Sequence, residues 1–171
     1  MTKPLPEEYP EFYSIYINLL EDDDIVNILS QQSNELQNLL KNISEEEAGK
    51  SYAFGKWTLK EVMGHLLDNE RVFVARALRI ARKDKQRLPG YEPDNYVKNA
   101  KYFERSLKSL LEEMLLLRAA DLLLISSFDE DDLSRTGIVD DFELTVRATL
   151  FVFAGHEKHH INYIKENYLK I

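Results

Sequence analysis

The sequence predicts an all-α fold, a four-helix bundle with a long connection between its second and third helices and an N-terminal aromatic, proline-rich arm. Four segments repeat apolar residues at three- and four-residue spacing, no stretch carries a convincing strand pattern, and the prolines fall in the arm or in that one connection. A length of 171 residues fits one domain, residues 1–171, able to bury a core of useful size.

Residues 1–22 read as the arm. Pro4, Pro6 and Pro10 fix φ and forbid a helix, while Tyr9, Phe12, Tyr13 and Tyr16 need a surface to cover. The first helix is predicted over about Asp24–Asn42, with Ile25, Ile28, Leu29, Leu36, Leu39 and Leu40 on one face. Ser51 to Gly55 is a loop. Thr58 and Glu61 then form a capping-box pattern, with Trp57 placed as its staple, and open a second helix that runs to about Arg82. Pro89, Gly90 and Pro93 punctuate a connection that is long for a bundle. A short helix near Asp94–Phe103 leads into a leucine-rich third helix over Ser106–Ser127. Asp129–Asp141 reads as a polar link, and the fourth helix covers about Glu143–Tyr168.

Composition narrows the function classes. Lys and Arg number 22 against 30 Asp and Glu, a net charge of −8, which disfavours binding to nucleic-acid phosphates. Cysteine is absent, so disulfides, thiolate metal ligands and cysteine nucleophiles are excluded together. The start, MTKPLPEEYPEFYSIYINLLEDDD, lacks the order of a signal peptide, and Arg118 and Asp121 interrupt the most apolar segment, Met114 to Phe128. A soluble, cytoplasmic protein with no membrane partner is the expectation.

The four histidines carry the most information. On a wheel of roughly 100° per residue, His156 and His160 stack on one edge of the fourth helix's apolar stripe, roughly 80–120° from its centre. His159 points away from the core, and His65 lies at the matching edge of the second helix. Two imidazoles four residues apart, with a third from a facing helix, suit one divalent transition metal such as zinc, nickel or iron. Three ordinary half-buried histidines are the other reading. His156-Glu157-Lys158-His159-His160 also matches H-E-x-x-H, but the third ligand of that protease class would have to be Glu166 on the same helix, and position 163 is tyrosine.

Glu70 and Glu157 fall near the middle of apolar stripes, where a carboxylate is costly unless paired. Arg71, Arg76, Arg118 and Arg147 are the cations on or near apolar faces. Internal ion pairs are the favoured reading; the alternative makes Glu157 a catalytic base beside the metal, or either glutamate an orienting partner of a histidine.

Lys56-Trp57-Thr58-Leu59-Lys60-Glu61-Val62-Met63-Gly64-His65-Leu66 resembles the K-W-[ST]-x-x-E-x-x-x-H-[LI] segment of the DinB/YfiT-like metalloproteins, and Gly155-His156-Glu157-Lys158-His159-His160 resembles their G-H-x-x-H-H. Arg118-Ala119-Ala120 and the Pro/Tyr-rich arm extend the likeness over nearly the whole chain. The resemblance implies a bundle with a long crossover between helices two and three, and one divalent metal on His65, His156 and His160. No ligand position departs from the pattern. It implies transferases or isomerases that use a small thiol, or metal-dependent hydrolases, or stress proteins without a settled reaction.

Three functions therefore stand. A metal could bind a low-molecular-weight thiol cofactor and present its thiolate to a small electrophile. It could instead activate water for hydrolysis, with Glu157 as base. A non-catalytic ion tying two helices together is the third, and a fourth protein ligand such as Asp68 would favour it. Asn69 and Arg76 lie on the His65 edge and are candidate substrate-binding residues, and Tyr52 and Trp57 are candidate walls. The aromatic arm, with little of its own to pack on, suggests a homodimer acting on a small-molecule substrate.

Overall fold

A computed structural model describes residues 2–171. In chain order its helices are α1 (Ser14–Ile17), α2 (Ile25–Leu40), α3 (Glu45–Ala48), α4 (Leu59–Ala81), α5 (Pro93–Ala100), α6 (Leu107–Ser126), α7 (Glu130–Ser134) and α8 (Val146–Ile164). A hairpin of β1 (Thr136–Val139) and β2 (Phe142–Thr145) precedes α8. Helices α2, α4, α6 and α8 are the four of the bundle, and each begins at a side chain that caps it. Asp24 accepts from the amide of Val26, Ser106 from Ser109 and Thr145 from Ala148. Thr58 and Glu61 form the expected capping box, Thr58 Oγ1 accepting from the Glu61 amide and the Glu61 carboxylate accepting from the Thr58 amide at 2.7 Å.

Three segments differ from the sequence reading. The link after α6 holds a short helix and a true hairpin, whose register pairs Thr136 with Thr145 and Val139 with Phe142. The strands are four residues each, too short to alternate visibly, and Asp140 makes the tight turn with φ of 57°. Residues Glu143–Thr145 are therefore extended, and α8 starts at Val146. The arm is not wholly irregular either. Helix α1 forms just beyond Pro10, where φ is no longer fixed. At its other end α8 loosens into a π-helical turn over Lys165–Leu169.

The arm finds its surface on its own chain. Tyr9, Tyr13 and Tyr16 pack against the core, Glu8 accepts from Thr145 Oγ1 at 2.7 Å, and Thr2 accepts from Arg147. Phe12 and Ile15 of the arm stay outward, 49% and 64% exposed, as do Leu116 and Leu123 of α6 at 74% and 77%.

Apolar packing is split into two clusters. One joins the arm, the hairpin and the Phe73, Phe151 and Phe153 ends of α4 and α8; the other joins Leu36, Leu66, Leu67, Met114 and Ile161. Between them lies a polar layer centred on Arg118, which is 2% exposed. Its guanidinium donates to Glu70 at 2.6 and 3.1 Å, to Glu157 at 2.6 Å and to the Leu29 carbonyl at 2.6 Å, and it lies over the Phe153 ring at 5.4 Å. One side chain thus ties all four long helices. Of the four candidate cations, Arg118 alone serves the buried glutamates; Arg71 pairs with Glu113, and Arg147 with Glu8 and Glu130.

One guanidinium between two buried carboxylates leaves a negative charge over. Burial, with the charge of Glu70 added and Arg118 opposing, pushes Glu157 up to about 7. Half-buried Asp121, beside Glu70 and with Oδ2 unpartnered, is pushed up to about 6, first by burial and then by that charge.

Replacing Arg118 with Met strands two buried carboxylates, so urea unfolding should show a loss of about 3–5 kcal/mol. Asp121→Asn should do the opposite at high pH. The native state holds the Asp121 proton more tightly than the unfolded chain does, so ionisation costs stability above pH about 6, and the cost fades as pH falls toward the ordinary value of 3.8. Thermal melts should show the variant more stable at pH 8, with the difference closing by pH 4.

A candidate metal centre between α4 and α8

The polar layer sets the rotation of α4 and α8, and this decides where the histidines point. Glu157 turns into the bundle onto Arg118, which puts its neighbour His156 on the edge of α8, with His160 one turn on. Glu70 fixes α4 likewise and leaves His65 facing them, 2% exposed. Nε2 of His65 and Nε2 of His156 are 3.4 Å apart, and one ligand atom from each of His65, His156 and His160 lies within 4.8 Å of the others. Exposed His159 is outside the cluster, stacked toward Tyr163 at 6.4 Å.

Burial, and then the neighbouring imidazoles, hold His156 down to about 3 and His160 to about 2. Burial holds His65 to about 4, against a small opposing effect of Asp94. All three rings are neutral at physiological pH, the form that donates a lone pair. Their Nδ1 atoms are buried without a hydrogen-bond partner. Three neutral imidazoles whose nitrogens meet chiefly one another fit a borderline transition metal.

Among the described residues no carboxylate joins the set. Asp68, the candidate fourth ligand, is engaged with the Tyr102 hydroxyl instead. Tyr102 lies across α4 at Gly64, where any Cβ would overlap its ring, so this glycine lets the crossover lie flat against the helix turn that carries His65. Gly155 plays the same part on α8. A Cβ there would overlap the Tyr16 carbonyl, and the close approach sets the Tyr16 ring edge-on to His156 at 5.4 Å and to His159 at 5.9 Å.

A cavity of about 300 Å³ opens beside His160, lined by Lys56, Trp57, Val62, Asp94, Tyr163 and Tyr168, with Gly55 at its edge. Trp57 is both wall and packing residue, partly buried on the second apolar cluster with its ring 5.0 Å from that of His65. Tyr52 stands behind, hydrogen-bonded to Tyr163. Asn69 and Arg76 are not in this lining. Asn69 donates to the Tyr91 hydroxyl at 2.6 Å, and Arg76 to the Pro89 carbonyl at 2.8 Å. Glu157 accepts its hydrogen bond from Arg118, so its carboxylate is turned into the bundle interior.

Nothing in the local sequence marks Asp94, Tyr163, Tyr168 or Tyr16 as site residues, and Lys56 stands out only as part of the K-W-T motif. Asp94 and Tyr16 reach the site through the crossover and the arm, and no spacing rule connects those segments to the histidines.

The family model of the DinB superfamily matches residues 28–164. The chain belongs to the DinB superfamily. It is 29% identical to the uncharacterized protein YuaE of Bacillus subtilis (strain 168), the match covering 82% of this chain and 95% of that one. Its fold is similar to that of YfiT from Bacillus subtilis, described as a probable metal-dependent hydrolase with an unusual four-helix bundle topology. The TM-score is 0.73 at 18% identity, over 96% of this chain and 90% of that one.

Elemental analysis and calorimetry should find one equivalent of zinc, nickel or ferrous iron per chain. His156→Ala should abolish binding, while His159→Ala leaves the stoichiometry unchanged.

Proposed function

We propose that this DinB-superfamily protein is a metal-dependent enzyme, a thiol-dependent S-transferase acting on small electrophiles at His65, His156 and His160. The observation that carries it is the ligand set: three neutral imidazoles, no protein thiol and, among the described residues, no fourth side chain, opening on the cavity beside His160. A divalent metal there would lower the pKa of a coordinated thiol or water. The chain supplies no sulfur nucleophile of its own, so a low-molecular-weight thiol would have to bring it.

The chain's own residues shape the rest. Trp57, Tyr163 and Tyr168 form an apolar wall that excludes water from one side of the cavity. Lys56 and Asp94 offer one positive and one negative partner, which suits a small thiol carrying both a carboxylate and an amine. Tyr16 and Gly155 hold the arm against the α8 turn that carries His156, so that ring has little room to swing away.

Hydrolysis is the second reading, supported by the description of YfiT. In this chain its base would be Asp94, which lines the cavity, and not Glu157.

Cobalt-loaded protein titrated with small thiols such as cysteine tests both readings. The expected result is a sulfur-to-metal absorption band in the near ultraviolet and thiol-dependent consumption of an aryl halide, both lost in His156→Ala. Ester hydrolysis without thiol, abolished in Asp94→Asn and without the new band, would establish the second reading instead.

A further inference from the structure

A second cavity, of about 200 Å³, lies further along α4 between that helix and the start of the crossover. Val72, Ala75, Leu88, Tyr91 and Tyr96 make its walls apolar and aromatic, and the two tyrosine rings meet edge-on at 5.0 Å. The backbone that builds it is pinned in place. The Leu88 amide donates to the Ile138 carbonyl and its carbonyl accepts from the Asp140 amide, both at 2.8 Å, so the hairpin holds Pro89, Gly90 and Tyr91 against α4.

Arg76 also lines this cavity, and it is a charge without a counter-charge. It is 7% exposed, yet among the described residues no carboxylate lies within 4.0 Å of its guanidinium. Its hydrogen bond goes to the neutral Pro89 carbonyl, it lies by the faces of Phe73 at 5.1 Å and Tyr91 at 5.8 Å, and Tyr13 is a further neutral neighbour. Asp140 acts on it from an exposed turn, beyond ion-pair distance. The other cation of the cavity, Arg79, is already engaged with Asp84 and Gln86. Among the described residues the other deeply buried charges have ionic partners: Arg118 has Glu70 and Glu157, and Lys60 has Glu45. A buried cation is costly unless an anion or hydrogen bonds compensate it, and carbonyl and ring contacts do so only in part.

We propose that this cavity binds a small apolar carboxylic acid, whose carboxylate pairs with Arg76 and whose body packs among Leu88, Tyr91 and Tyr96. A guanidinium receives a carboxylate through two parallel N–H donors, and Arg76 spends only one nitrogen on Pro89. The site is separate from the histidine cluster. Arg76 follows His65 by three turns of α4, roughly 16 Å at 1.5 Å per residue, with Asn69 and its Tyr91 contact between. It therefore does not depend on the metal or on the reaction proposed there.

Benzoate is the probe, with benzamide as its uncharged match, titrated by calorimetry into the full-length protein both metal-loaded and after chelation. Benzoate should bind one per chain with the same affinity in both forms, and benzamide at least about tenfold more weakly. Arg76→Gln should lose the same factor. Ala75→Trp, which fills the cavity from the exposed side of α4 and keeps the Arg76 charge, should block binding while circular dichroism shows an unchanged fold. Equal binding of benzoate and benzamide, binding that survives in Ala75→Trp, or no benzoate binding to the wild type would overturn the assignment. Binding seen only in the metal-loaded form would also overturn it, and would place the carboxylate on the histidines.

Discussion

A single guanidinium in the interior organises this molecule. Arg118 reaches three other helices at once, and without it the two apolar clusters would face each other across unpaired carboxylates. Such a network adds little net stability over a well-packed apolar core, because desolvating three charges offsets most of their attraction. What it contributes is orientation. Glu70 and Glu157 must turn inward to meet Arg118, and that fixes which edge of α4 and α8 carries His65, His156 and His160. Ridge-into-groove packing tolerates a scatter of some 15–20°, whereas a bidentate ion pair does not. The histidine cluster inherits its geometry from a layer that lies outside it.

Around that layer the chain approaches itself closely at two glycines, each beside a histidine turn. Gly64 admits Tyr102 of the crossover, and Gly155 admits the backbone of the arm. The long connection and the arm look dispensable to a bundle, but they bring Asp94 and Tyr16 to the site. The hairpin then holds the start of the crossover down, so two cavities of different character form along one helix, one beside neutral imidazoles and one beside a buried cation.

Much of this was legible in the sequence, and the reasons are local. Helix starts were readable because Asp24, Thr58 and Ser106 satisfy the first free amides, and the three clustered histidines because edge positions on a wheel follow from spacing alone. The burial of Glu70 and Glu157 was readable from their place in apolar stripes. Which arginine would meet them was not, since that depends on how α6 crosses α4 and α8. The hairpin was missed because four-residue strands carry too few alternations to stand out. The edge position of Arg76 follows from spacing, but its isolation from carboxylates is a property of the folded crossover.

The arm has one more consequence, for the way the protein is made. Residues of the arm leave the ribosome before every helix of the bundle, yet the surface they cover, around Gly155 and Arg147, belongs to the helix translated after the other three. Throughout synthesis Tyr9, Tyr13 and Tyr16 have nowhere to dock. Closure of the arm therefore cannot precede the synthesis of α8, and until then its aromatic side chains lack the surface they cover in the folded chain.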